Sequence, residues 1–130
     1  MPSVLPPHTS FSEADATAPD EPLTFSVVVP AYNEAECILE FHDRLAAVMH
    51  ECGDWEVIHV NDGSRDETWP ILTALAAGDP HVALISLSRN FGNEIATSAG
   101  LDHAFGEAVI LIDADLQDPP ELISRTTTVT

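Results

Sequence analysis

Apolar and polar positions alternate in blocks along this chain, and the period of the blocks switches at regular intervals. Phe25–Val29 (FSVVV) is a short β-branched run ended by Pro30, the signature of a strand. Beyond a polar loop, Ile38, Phe41, Leu45, Val48, Met49 and Cys52 fall at steps of three and four, which predicts a helix over Ala35–Cys52 stopped by Gly53. Trp55–Val60 (WEVIHV) predicts a second strand, followed by the loop NDGSRDE and a helix over Glu67–Ala77 that tolerates Pro70 in its first turn. His81–Leu87 predicts a third strand, SRNFG a loop, and Asn93–Ala104 a helix capped by Asn93. Glu107–Asp113 predicts a fourth strand, and Asp118-Pro119-Pro120 opens another helix. Strand starts at Phe25, Trp55, His81 and Glu107 recur every 26–30 residues. Such a βαβα succession predicts an α/β fold, a parallel sheet with helices on both faces, whose ligands sit at the carboxyl ends of the strands.

The first 24 residues break the pattern. They hold five of the ten prolines, four acids and no base, and read as a disordered leader. At 130 residues the chain supplies one domain, and its 45% hydrophobic content supports a core. Charge narrows the function further: 22 acids face four bases, all arginine (Arg44, Arg65, Arg89, Arg125), for a formal charge of −18. This balance excludes an electrostatic grip on nucleic acid or on an anionic membrane surface. An anionic substrate would need backbone N–H groups, an arginine or a bridging metal cation. The longest apolar runs, Val27–Val29 and Ala108–Ile112, are far short of the ~20 residues of a spanning helix. With no signal-peptide pattern either, the cytoplasm is the expected compartment. Cys37 and Cys52 lie on one predicted helix, ~22 Å apart, too far for a disulfide, and are expected as plain buried thiols. The scattered histidines are expected to bind no metal, with His42 and His50 on the polar flank of the first helix.

Each strand ends in a polar cluster, and the topology lines these clusters along one edge. Neither GxGxxG after the first strand nor GxxxxGK[ST] occurs, so the usual dinucleotide and NTPase phosphate loops are absent. Asp113, Asp115 and Gln117 can present three oxygens in a row to one hard cation, Mg²⁺ or Mn²⁺, if the chain stays extended past the strand; the alternative is that Asp115 and Asp118 cap the next helix. Asp62 can accept from a base N–H or a ribose hydroxyl, with Gly63 allowing close approach of backbone to ligand, or it can form an Asx-turn. Tyr32 and Glu34, directed by Pro30, can flank a nucleobase, or Glu34 can complement a helix dipole. Arg89 can bind phosphate, although a structural salt bridge is the simpler expectation. A DxDx[TV] phosphatase is excluded, because Leu116-Gln117 replaces the required Thr/Val and the motif follows the fourth strand.

VVVPAYNEAE, VNDGSRDET, LSRNFGNEIATSAGLDHA and ILIDADLQDPPELI, in that order, resemble the family-two glycosyltransferases of GT-A fold. Within them the chain is similar to the branch of dolichyl-phosphate mannose synthase and the bacterial polyprenyl-phosphate glycosyltransferases. The resemblance covers residues 25–124 and implies a Rossmann-like, nucleotide-diphosphate-sugar-binding half of a larger domain. It implies transfer of a sugar, with inversion, onto a polyprenyl phosphate. Carried over by position, Pro30, Tyr32, Glu34 and Asp62 would hold the nucleoside, and Asp113, Ala114 and Asp115 the diphosphate. Asp113, Asp115 and Gln117 would carry the metal, with Asp115 and Gln117 as the expected direct ligands. No general base is nominated, because a phosphate acceptor is already anionic at neutral pH. Asn93 stands where many relatives carry a basic or histidine residue, and SRTTTVT departs from the family, which makes 125–130 an off-family tail and the chain an expected truncation. The expectations that follow are an exposed edge strand prone to self-association and a position peripheral to the inner membrane face. The alternative function is a non-catalytic fragment or pseudoenzyme that binds only nucleotide and divalent metal.

Overall fold

The computed structural model describes residues 23–115 and residue 120. Most of the predicted leader, the 125–130 tail, Gln117 and the Asp118-Pro119 helix start lie outside these residues. Four parallel strands, β1 (Leu23–Ala31), β2 (Trp55–Asn61), β3 (Val82–Ser86) and β4 (Gly106–Leu111), form one sheet in the order β3-β2-β1-β4. Three helices connect them: α1 (Ile38–Met49), α2 (Thr68–Gly78) and α3 (Asn93–Asp102).

Alternation along the strands divides the core into two layers. Val27, Val29, Val57 and Leu84 pack with Ile38, Phe41, Leu45 and Met49 of α1 and Leu72 of α2. On the opposite face Val28, Ile58, Val60 and Ile85 meet Ala96 and Ala99 of α3. The central strand β1 therefore reads as an apolar run from Val27 to Ala31, as a doubly covered parallel strand should. Gly100 brings α3 close to the sheet, since a Cβ there would lie 2.4 Å from Val28 Cγ1.

Element boundaries differ from the sequence pattern in instructive places. Leu23 and Thr24, expected in the leader, belong to β1, where Leu23 pairs with Gly106 and Thr24 N–H donates to the Asp54 carbonyl at 3.0 Å. Pro30 was expected to end the first strand but lies inside it, opposite Val60. Its missing N–H faces the β4 side, where Ile112 N–H donates to Val28, and the β1–β4 ladder stops at the proline. The helix expected over Ala35–Cys52 is regular only from Ile38 to Met49, with turns on either side. Asn93 does not cap α3: Gly92 is the N-cap, and it has no side chain to cap with.

His42, expected on the polar flank of α1, is instead buried. Its Nε2 lies 3.1 Å from Asp79 Oδ2 and its Nδ1 3.2 Å from Nε2 of the fully buried His59. Asp79 also holds His81 Nδ1 at 2.8 Å, and the His81 ring stacks on Trp55 at 4.4 Å. β3 and β4 are the edges of the sheet among the described residues, and Leu111 of β4 is half exposed.

Candidate functional site

Register sets the geometry of the carboxyl edge. Ala31, Asn61 and Ser86 stand at one level across three strands, and the loops that follow them meet above the sheet. The β1–α1 and β2–α2 loops are laced together through backbone N–H groups. Asn33 N–H donates to Ser64 Oγ at 2.9 Å, Glu34 N–H to Thr68 Oγ1 at 2.9 Å and Ala35 N–H to Asp66 Oδ2 at 3.2 Å. In return Arg65 N–H donates to Asn33 Oδ1 at 2.8 Å. The N–H groups ahead of α1 thus find acceptors in another loop, and its N-cap, Cys37, makes no side-chain cap bond.

Asp62 is the hub between the second and third loops. Its buried carboxylate accepts from Phe91 N–H at 2.8 Å, Gly92 N–H at 3.0 Å and Asn90 Nδ2 at 3.0 Å. Burial pushes its carboxyl above the ordinary range, against the opposing pull of the Phe91 and Gly92 N–H groups. Gly63, expected to let backbone approach a ligand, instead lets the two loops touch: at φ +71° its absent Cβ would lie 2.2 Å from the Arg89 carbonyl carbon. Pro30, Tyr32, Asp62 and Gly92 line an open cleft of about 300 Å³ at this point. Tyr32 is 43% exposed and offers its ring to that space. Arg89 forms no salt bridge among the described residues; its guanidinium lies over the Phe91 ring, 4.5 Å from the centroid.

The acidic side of the edge lies between β1 and β4. Ala114 is buried with Ala31 in the lower core layer, while Asp113 and Asp115 on either side of it are exposed. The chain does not stay extended here, since residues 114–115 form a turn. Both carboxylates are presented because buried Ala114 anchors that turn. Burial first, then the charges of Asp115, Asp113 and Asp66, push the Glu34 carboxyl above the usual carboxylate range. Three carboxylates from the first and fourth loops therefore share one anionic field, and a divalent cation with hard oxygen preferences fits that donor chemistry. Among the described residues no three acidic, histidine or cysteine side chains converge on a single point, and Gln117 lies outside them.

The sequence pattern singled out Pro30, Tyr32, Glu34, Asp62, Asp113, Ala114 and Asp115, and the structure brings all of them to the same edge of the sheet. It did not single out Ser64, Asp66 and Thr68, which hold the first loop in place; the Asp66-x-Thr68 spacing of a local Asx-type cap was the available signal. Desolvation disfavours the Asp66 carboxylate, but bonds from the Thr68 hydroxyl, Thr68 N–H and Ala35 N–H outweigh it and hold the carboxyl below its ordinary range. Replacing it by alanine orphans these donors. Asp66→Ala is expected to cost about 1 kcal/mol, as for loss of a helix cap, and to lower the melting temperature by ~4–8 °C. An unchanged melt would show that the lacing contributes nothing.

Comparison with known proteins places this geometry. Residues 26–128 match the glycosyl transferase family 2. The chain is 50% identical over 102 residues to the glycosyltransferase YkcC of Bacillus subtilis, covering 78% of this chain and 32% of that protein. It is 48% identical over 102 residues to the bactoprenol glucosyl transferase of Shigella phage SfV, with 78% and 33% covered. It therefore spans about a third of the length of the curated relatives it matches. Among solved structures, a mannosyltransferase from Pyrobaculum calidifontis in complex with GDP-Man and Mn²⁺ superposes with a TM-score of 0.65 at 31% identity, over 74% of this chain and 28% of that one. The doubly covered parallel sheet is the GT-A arrangement, and the chain belongs to glycosyl transferase family 2.

Proposed function

We propose that this chain holds a nucleoside diphosphate sugar at the carboxyl edge of its sheet, as the donor-binding part of an inverting glycosyltransferase whose acceptor is a polyprenyl phosphate. The observation that carries the reading is that Glu34, Asp113 and Asp115 share one anionic field at the sheet edge that also holds the Tyr32 and Asp62 cleft. Pro30 and Tyr32 flank the nucleoside there. Asp62 contributes by locking the third loop, since its carboxylate already accepts three donors from that loop. Asp113 and Asp115, with Gln117, are the residues that hold Mg²⁺ or Mn²⁺. A cation bound there neutralises charge developing on the departing diphosphate. The acceptor class is supported by the names of the relatives, among them the bactoprenol glucosyl transferase and an undecaprenyl-phosphate transferase of Pectobacterium carotovorum. A phosphate nucleophile is anionic near neutral pH and requires no base from this chain. The same acceptor supports a position at a membrane's inner face, while no described helix is long and apolar enough to cross one.

Titration of the purified chain with UDP- and GDP-sugars, with and without Mn²⁺, tests the site. Saturable, Mn²⁺-dependent binding is expected, and absence of binding overturns the assignment. Asp115→Ala is expected to remove the Mn²⁺ dependence without changing the melt; retained dependence would take Asp115 out of the ligand set. Assay of sugar transfer to a short polyprenyl phosphate separates catalysis from the alternative, a nucleotide- and metal-binding chain without turnover.

A further inference from the structure

A second cleft, of about 420 Å³, opens between the β2–α2 and β3–α3 loops on the side away from Asp113 and Asp115. Its lining includes Arg65, Arg89, Ser64, Ser86 and Trp69 and contains no acidic residue. In a chain of 22 acids and four arginines, a lining with two arginines and no acid inverts the charge of the molecule locally.

The inversion has a structural cause. Two of the three acids of these loops are taken by partners outside the cleft: Asp62 accepts from Phe91, Gly92 and Asn90, and Asp66 from Thr68 and Ala35, while the third, the exposed Glu67, is not part of the lining. Neither Arg65 nor Arg89 has a carboxylate partner among the described residues. The Arg89 guanidinium carbon lies over the Phe91 ring, 4.5 Å from its centroid, a cation–π contact that uses none of its N–H donors. The hydroxyls are donors as well. Ser64 Oγ already accepts from Asn33 N–H and Ser86 Oγ from Asn61 Nδ2, so each has its proton available. Even the Asn61 side-chain oxygen, Oδ1, is taken, by Ser64 N–H.

We propose that this cleft binds a phosphate group without a metal ion. Two guanidinium forks and two hydroxyl protons converging from two loops suit a tetrahedral oxyanion with several acceptor oxygens better than a planar carboxylate, which one fork would satisfy. The cleft adjoins the smaller one and shares Tyr32 and Asn90 with it, but the arginines and serines on which the proposal rests line only the larger cleft and carry no part of the nucleotide-sugar reading.

The test is amide-resolved NMR of the full chain at constant ionic strength, with inorganic phosphate exchanged for chloride. Saturable shifts confined to residues 63–65 and 88–90 are expected, unchanged by EDTA. Arg65→Gln and Arg89→Gln should each weaken binding at least fivefold, and Arg44→Gln, on α1, should leave it unaltered. If a glutamine variant fails to fold, Arg65→Lys and Arg89→Lys make the same test, since they keep the charge and lose the fork. A soluble isoprenyl monophosphate serves as the second probe: tighter binding than inorganic phosphate assigns the site to a lipid headgroup, and equal binding assigns it to phosphate alone. Shifts that fail to saturate, spread over the surface, require a metal or survive both arginine substitutions would overturn the proposal.

Discussion

Gly63→Ala should destabilise the fold by about 2–5 kcal/mol, the sum of an overpacking cost and a left-handed backbone cost. The added Cβ would lie 2.2 Å from the carbonyl carbon of Arg89 and 2.3 Å from the nitrogen of Asn90. Both are backbone atoms, so no side chain can swing aside to make room. At φ +71° an L side chain is strained as well. Relief requires the β2–α2 and β3–α3 loops to separate, which pulls the Asp62 carboxylate away from Phe91 and Gly92. A fall in melting temperature of at least ~10 °C is expected. Gly78→Ala is the control: nothing lies within 4 Å of a Cβ there, and the exchange should be neutral or slightly stabilising. Equal melts for the two variants would show that the loops tolerate separation.

Acidification from about pH 6.5 to pH 4 should erode stability with a slope approaching ~1.4 kcal/mol per pH unit, and His59→Gln should flatten it. Burial, and then the neighbouring His42, hold the fully buried His59 down to about 3. An unfolded histidine titrates near 6.5. Between those values the unfolded chain carries a proton that the folded chain refuses, so acid favours unfolding; above the upper value this contribution to stability is fully present.

The hydrogen-bond pattern explains the refusal. Ionised Asp79 can only accept, so His42 donates from Nε2; in the tautomer that leaves His42 Nδ1 bare, that nitrogen accepts from Nε2–H of His59. That leaves His59 Nδ1 as a buried lone pair with no partner. A proton placed there would become a buried N–H facing no acceptor, at the full desolvation cost. Glutamine can keep the donor to His42 and does not titrate. Asp66 and Asp79, both held below the usual carboxylate range, lose most of their contributions below pH 4, while Glu34 and Asp62, held above it, titrate inside the window with the opposite sign in both proteins, so the difference between the two slopes isolates the histidine. Denaturant titrations across that window measure the slope, and identical slopes for the two proteins would refute the assignment.

The strands and helices were legible because burial on two faces writes a period into the chain: Val27, Val28 and Val29 are all apolar since the sheet is covered on both sides. Pro30 misled because a proline inside a strand is acceptable only where no partner waits for its N–H, and that depends on where β4 ends, 81 positions later in sequence, at Leu111. His42 looked like a surface residue because the groups that satisfy it, His59 and Asp79, come from other elements. The candidate site was legible as a set of residues and less so in its roles. Asp62 read as a ligand acceptor, with a local turn as the alternative, and its actual partners lie in the third loop, where no spacing rule reaches.

The place of β1 in the sheet has a consequence for synthesis. β1 emerges first and is central, flanked by β2 on one side and by β4 on the other. Its second flank stays open while the ribosome makes Asp62 through Leu111, roughly 3–10 s at ~5–20 residues per second. During that interval a strand centred on three consecutive valines presents unpaired N–H and C=O groups, the template on which neighbouring nascent chains can pair. Closing so long a loop also slows the native pairing that ends the exposure. The yield of folded protein should therefore depend on chaperone capacity and expression rate more steeply than its finished core would suggest.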